Sequence, residues 1–303
     1  VKNKFNFYKN KFKKVDKNLN LVMDNSIIYV SDNLGFIYAF DYNNDKILWA
    51  KDNKIPFRSN LKIKKNRLVA ADQNNNVYIF DKKNGDILKL IPTEDTTIKN
   101  NFKNNFSADK NSFFFLNTYG SLYAIDNDSN NVKWVLNLNQ SLDINPSNLF
   151  NGNQLVNNEN VLIVTTHEST YIINSLSGTI INKFNIVSQT KPLIVNNHLF
   201  LISSNNLLIC INLNNGEIFY SYNLNKKIAE YLDIKKKTTL FQSIMIANNK
   251  ILILLKNSFL LEFEMNGDLK DIFKLPIKQN SDLIFINNSI LYLDRKNKLV
   301  ILG

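Results

Sequence analysis

One arrangement of apolar and polar positions recurs along the chain. Each copy opens with an Asn-rich turn and a short apolar strand. A polar turn follows, then a second apolar strand ending in Asp, Asn or Glu. Three or four residues later comes Gly or a substitute, and then a third strand. The clearest copies are NSIIYVSDNLGFIYAFDYNNDKILW from Asn25, NRLVAADQNNNVYIFDKKNGDILK from Asn66 and NSFFFLNTYGSLYAIDNDSNNVKW from Asn111; others begin at Asn160, Asn197, Asn249 and Asn288. These anchors lie 41, 45, 49, 37, 52 and 39 residues apart, which suits a blade of four short strands. Runs such as Val161–Val164 and Ile251–Leu255 have strand length, and many are apolar on both faces, as in sheets buried between other sheets. A further strand should precede each anchor; Ser59–Ile63, Ser147–Phe150 and Pro192–Val195 fit that place. The one helix the pattern predicts covers residues 226–237, in the longest gap between copies.

The pattern therefore predicts an all-β fold: a β-propeller of four-stranded antiparallel blades, seven of them with eight as the alternative, in a single domain over residues 1–303. Residues 1–17 form a basic N-terminal segment, in which Phe5–Phe12 could supply a closing strand. Ala39 and Ala124 are expected mid-strand, where close blade packing leaves little room. Asp41, Asp81 and Asp126 end their strands, placed to accept backbone N–H groups of the next turn. Gly85, Gly178, Gly216 and Gly267 should supply the positive φ of a tight hairpin with a bulge. Trp49 and Trp134 then fall on the outer strand, able to cover the seam to the next blade.

Composition adds exclusions. Apolar residues make up 44% of the chain, enough for a core, and no run approaches the ~18 apolar residues of a membrane span. Formal charge is +11, of which residues 1–17 contribute seven Lys against one Asp. That segment lacks arginine and aromatic platforms on a sheet, so nucleic acid is not the expected partner. A single cysteine, Cys210, excludes an internal disulfide and thiolate zinc sites. It occupies the small-residue position of its copy, which reads as core. His167 and His198 stand at turn and strand edges with no Ser/His/Asp or metal spacing around them, and the acids recur in register with the turns. No catalytic, cofactor-binding or metal-binding residue is expected.

The segment Gly35-Phe36-Ile37-Tyr38-Ala39-Phe40-Asp41 through Trp49 resembles the tryptophan-docking repeat of PQQ-like β-propellers, with Asp45 at the Gly position. Gly120-Ser121-Leu122-Tyr123-Ala124-Ile125-Asp126 through Trp134 resembles it too, with Asn130 there. Lys89, Asn182, Tyr220 and Asp271 stand where the other copies would carry Trp. Within these propellers the chain is most similar to the BamB family, lipoproteins of the outer-membrane β-barrel assembly machinery. That resemblance implies a non-enzymatic scaffold at the periplasmic face of the outer membrane, with no cofactor and with a BamA-like barrel-assembly subunit as partner. It also implies attachment by a lipidated cysteine upstream of Val1. In that family a Leu-x-Leu-Arg loop after the third repeat's Trp contacts BamA; here Leu142 and Ile144 match its apolar positions and Asn145 replaces the Arg. The alternatives are a degenerate PQQ-dependent quinoprotein oxidoreductase and a sensor or ligand-binding propeller module. The single cysteine excludes the vicinal pair that many quinoproteins carry.

Overall fold

The computed structural model describes residues 8, 10–12, 14–95, 104–139, 150, 152–235, 238–286, 289–296 and 298–303. Strands follow one another as six four-stranded sheets and a seventh with three strands among the described residues, each sheet built in chain order. The first comprises Leu19–Asp24, Ile27–Asp32, Phe36–Asp41 and Lys46–Asp52. The seventh comprises Ile284–Ile286, Ser289–Leu293 and Leu299–Leu302. The pairings resolved in detail are antiparallel. Antiparallel hairpins in series need only short turns, which the Asn- and Asp-rich anchors provide.

Several local expectations shift. The second sheet begins at Lys62–Lys64, because the backbone before it is drawn into isolated bridges, Phe57 to Asp72 and Ser59 to Asn104. In the fourth sheet the first strand is Val156–Asn158; Phe150 lies outside any strand, and residues 147–149 lie outside the described residues. The fifth sheet starts at Leu193–Val195, one residue after Pro192, whose missing N–H could not join the ladder. The helix, α1, runs over Leu224–Tyr231, earlier than residues 226–237. Asn223 caps it, its Oδ1 accepting from Lys226 N at 3.0 Å, and Leu224, Ile228 and Ala229 form its buried face. Residues Phe5–Phe7 and Lys9 of the suggested closing strand lie outside the described residues; Asn10–Phe12 form a 3₁₀ turn, and Tyr8 donates to Asp32 at 2.6 Å.

The chain divides into two compact units, Val1–Asn160 with Asn174–Thr179, and Val161–Ile173 with Ile180–Gly303. In the first, Tyr29, Ile37, Ala39 and Trp49 of the first sheet meet Leu68, Ala70, Tyr78 and Phe80 of the second. The opposite face of the second sheet (Val69, Ala71, Val77 and Ile79) meets Phe106, Phe113, Phe115 and Ile125 of the third. In the second unit, Phe200, Ile202, Leu208 and Cys210 meet Ile251, Ile253, Leu261 and Phe263. Beyond them Leu252, Leu254 and Leu260 meet Tyr292, Ile290 and Val300. Middle strands apolar at successive positions are thus explained: both of their faces are interior.

Candidate functional site

The docking residues occupy a repeated three-strand arrangement. Ala39 lies between Tyr29 and Trp49 across the ladder, and Ala124 between Phe114 and Trp134. Cys210 lies likewise between Phe200 and Tyr220. Neighbours directly across a ladder stand ~5 Å apart at Cβ, so a small middle residue lets two rings approach over it. The Tyr29–Trp49 and Phe114–Trp134 ring centroids are 6.1 and 6.0 Å apart. Where the ring is absent the small residue is absent as well: Ile79 faces Lys89, Ile172 faces Asn182, and Glu262 faces Asp271.

Each ring then meets a glycine of the following sheet. A Cβ at Gly85 would lie 2.5 Å from Trp49, at Gly178 2.7 Å from Trp134, and at Gly267 2.5 Å from Tyr222 and 2.9 Å from Tyr220. A polar hydrogen of each docking residue finds a carbonyl of the same turn. Trp49 Nε1 donates to Lys82 O and Trp134 Nε1 to Ser175 O, both at 3.1 Å, and the Tyr220 hydroxyl donates to Met265 O at 2.9 Å. The glycines have φ of 73°, 76° and 86°. Asp45 and Asn130, at the equivalent places of the first and third sheets, keep the positive φ at 51° and 58° but bring a Cβ. The seam from the second to the third sheet has neither ring nor glycine at this level. There Lys65 Nζ reaches Asp128 at 2.5 Å and Arg67 donates to Asp128 O at 2.7 Å.

Asp41 and Asp126 sit at the start of these turns. Asp41 Oδ1 accepts from Asn43 N at 3.0 Å, and Asp126 Oδ1 accepts from Asp128 N and Ser129 N at 3.0 and 2.8 Å. The Asn44 side chain beside Asp41, and the Ser129 N–H beside Asp126, hold both carboxyls below the usual carboxylate range. Sequence reasoning missed a second, buried set on the opposite hairpins. Asp32 Oδ1 accepts from Leu34 N and Phe36 N, and Asp72 Oδ1 from Asn74 N and Asn76 N. Their signal was an Asp or Asn four or five residues before the third strand, masked by the many polar residues of those turns.

Leu142, Ile144 and Asn145 lie outside the described residues, but the described residues on either side of them are fixed on one turn of the third sheet. On one side Leu138 N donates to Gly120 O at 2.8 Å and the Asn139 amide to Tyr119 O at 3.1 Å. On the other Phe150 N donates to Thr118 O at 2.9 Å. Gly120, at φ 99°, lets both ends come close, since a Cβ there would stand 2.8 Å from the Phe150 ring and 2.9 Å from Asn139 Cβ. Asn117 Oδ1 stitches the turn by accepting from the N–H groups of Tyr119, Gly120 and Ser121. Its Nδ2 donates to Glu94 at 2.9 Å, and Ser121 and Tyr123 hydroxyls donate to the same carboxylate at 2.8 and 2.6 Å.

Burial works against charge on Glu94, but the hydroxyl of Tyr123, with backbone, Ser121 and Asn117 donors, outweighs it and holds the carboxyl below its ordinary value. Its folded pKa is the lower one, so its contribution to stability is complete above the unfolded value and is lost as pH falls through the folded value. Glu94→Gln is therefore expected to flatten the decline in melting temperature between about pH 5 and about pH 3. Equal slopes for the two proteins would show that this carboxylate does not contribute.

Groups able to do chemistry are dispersed. Among the described residues no cluster of three or more His, Cys, Asp or Glu side chains could hold a metal ion. His198 lies against Phe219 with ring centroids 5.1 Å apart, and His167 reaches Glu168 at 3.4 Å on the surface. Burial pushes the Cys210 thiol up to about 11, away from the thiolate a nucleophile needs. No helix among the described residues is long and apolar enough to cross a membrane.

Four-stranded antiparallel sheets in series, joined by rings set on glycines, define a β-propeller of the PQQ-like repeat type. Residues 9–222 match the sequence profile of the family described as outer membrane protein assembly factor BamB, and the chain belongs to that family. Among solved structures it is similar to BamB from Moraxella catarrhalis, at 11% identity and a TM-score of 0.74 over 94% of this chain and 83% of that one. It is also similar to the computationally designed Ika8 protein, at 10% identity and a TM-score of 0.69 over 93% of this chain and 82% of that one. No curated protein matches it in sequence.

Proposed function

We propose that this protein is a non-enzymatic scaffold that supports assembly of β-barrel proteins at the periplasmic face of the outer membrane, by binding a BamA-like barrel subunit. Membership of the BamB family supports this reading, and so does the local architecture. The single observation that carries it is the anchoring of the residues that flank 140–149: Leu138, Asn139 and Phe150 all bond to the Asn117–Ser121 turn, which the Glu94 network holds in place. A loop on a rigid frame is where binding residues are typically placed. Leu142 and Ile144 act as apolar anchors, while Asn145 offers a neutral polar contact in place of a guanidinium. A lipid anchor upstream of Val1 would hold the scaffold at the membrane.

The test is co-purification with the barrel subunit. Replacing Leu142 and Ile144 together by Asp is expected to abolish capture while leaving the melting temperature nearly unchanged. Capture at wild-type level by the double variant would remove this loop from the interface.

A further inference from the structure

The joint between the fifth and sixth sheets lies wholly within the second unit, and it is built differently from the two that carry an indole. Register sets the comparison. His198 stands where the first and third sheets have Ile27 and Ser112, and Tyr220 where they have Trp49 and Trp134. Tyr222 stands where they have Lys51 and Leu136, and the bulge after Cys210 sets Phe219 where theirs set Leu48 and Lys133. Four smaller rings thus take the place of one indole. Two of them divide its work. The Tyr220 hydroxyl donates to Met265 O at 2.9 Å, while the Tyr222 ring stacks on Tyr220 with centroids 5.0 Å apart and covers Gly267. What the four rings leave unfilled is a pocket of about 530 Å³, which they line together with Cys210 and Met265. Phe219 stands beside it against the His198 ring, 55% exposed.

We propose that this pocket binds a neutral, planar aromatic molecule of one or two fused rings. Size, walls and charge select that class. Small-molecule sites span roughly 300–1,000 Å³, and this pocket falls within that range. Aromatic walls gain from an aromatic guest beyond the area buried, through offset-stacked and edge-on contacts. The half-exposed Phe219 ring is apolar surface that such a guest would take out of water. Among the described residues no Asp, Glu, Lys or Arg lines the pocket, so a charged guest would enter without a counter-charge. A cation is disfavoured further by Lys227, whose Nζ already lies over the Tyr222 ring, 4.2 Å from its centroid. The Asn266 side chain at the same pocket is engaged by Asp268, donating to its carboxylate at 2.9 Å and accepting from its N–H at 3.1 Å. The His198 imidazole is the lining group suited to receive an N–H from the guest.

Calorimetric titration of the whole chain with indole tests the proposal. Saturable one-to-one binding is expected, with a dissociation constant of roughly 0.1–1 mM for so small a ligand. Cyclohexanol, apolar but not aromatic, and tetramethylammonium, a cation, should both bind more weakly than indole. Phe219→Ser should weaken indole severalfold at a nearly unchanged melting temperature, because that ring is half exposed. A second reading needs no variant. Cys210 is the chain's one thiol and lines the pocket, so saturating indole should slow its reaction with methyl methanethiosulfonate severalfold. Absent or non-saturable binding, cyclohexanol or tetramethylammonium binding as tightly as indole, full affinity in Phe219→Ser, or an unchanged Cys210 rate at saturation would each overturn the proposal. None of these outcomes bears on capture of the barrel subunit through residues 142–145, so the two readings fail independently.

Discussion

Truncating Trp134 to alanine is expected to destabilise the protein by about 3–5 kcal/mol, read as a shift of the urea midpoint with little change in slope. The ring is set against Phe114 on its own sheet and against Gly178 of the next, and its N–H is satisfied by Ser175 O. Removing it takes away apolar burial, leaves a cavity the stiff ladder cannot close, and orphans the carbonyl. A replacement that keeps a ring but loses the donor, Trp134→Phe, should recover most of the loss, because a net hydrogen bond is worth only ~1 kcal/mol. An unchanged midpoint for Trp134→Ala would mean that this side chain does not join the sheets.

Gly85→Ala should be nearly as damaging, from the opposite direction. The added Cβ would lie 2.5 Å from Trp49 Cε3 and 2.8 Å from Cδ2, at a backbone φ of 73°. Overpacking costs ~1–3 kcal/mol and the left-handed conformation a further ~1–2 kcal/mol for a residue with a Cβ. The two costs separate in a double-mutant cycle. In a Trp49→Ala background the steric part disappears and the conformational part stays, so a coupling of roughly 1–3 kcal/mol between positions 49 and 85 is expected. Strict additivity would remove the direct contact from the explanation.

These two variants also mark how far the sequence could be read. The spacing of Asn anchors and the Ala-x-Asp…Trp line made the sheets, their number and their antiparallel order legible, because strand alternation and turn chemistry are local properties. What the glycines receive was not legible. Gly85 and Gly178 read as turn residues from their own copy, and the ring each accommodates belongs to the copy before, 36 and 44 residues upstream. The pairing of a small residue with a ring was likewise half visible: Ala39 and Ala124 stood out, but the matching loss of both partners at Ile79 with Lys89 emerges only from register. First strands were misplaced because bridges and side-chain bonds compete with the ladder there, as at Phe57 and Ser59. For the candidate partner contact, sequence pointed to Leu142 and Ile144, while Glu94, far upstream, carried no local sign that it braces the Asn117–Ser121 turn beside them.

The distribution of these joints has a consequence for how such a chain can change length. Rings stand on the first, third and fifth sheets and the glycines they meet on the second, fourth and sixth. Counted between Asn25, Asn111 and Asn197, the interval is 86 residues both times, whereas single intervals within that span vary from 37 to 49. The regular length in this stretch is therefore that of a doublet. Excising the second and third sheets together would set Trp49 on Gly178 and leave a working joint; excising the second sheet alone would set Trp49 against Asn130, which brings a Cβ, whereas excising the fourth alone would set Trp134 on Gly216.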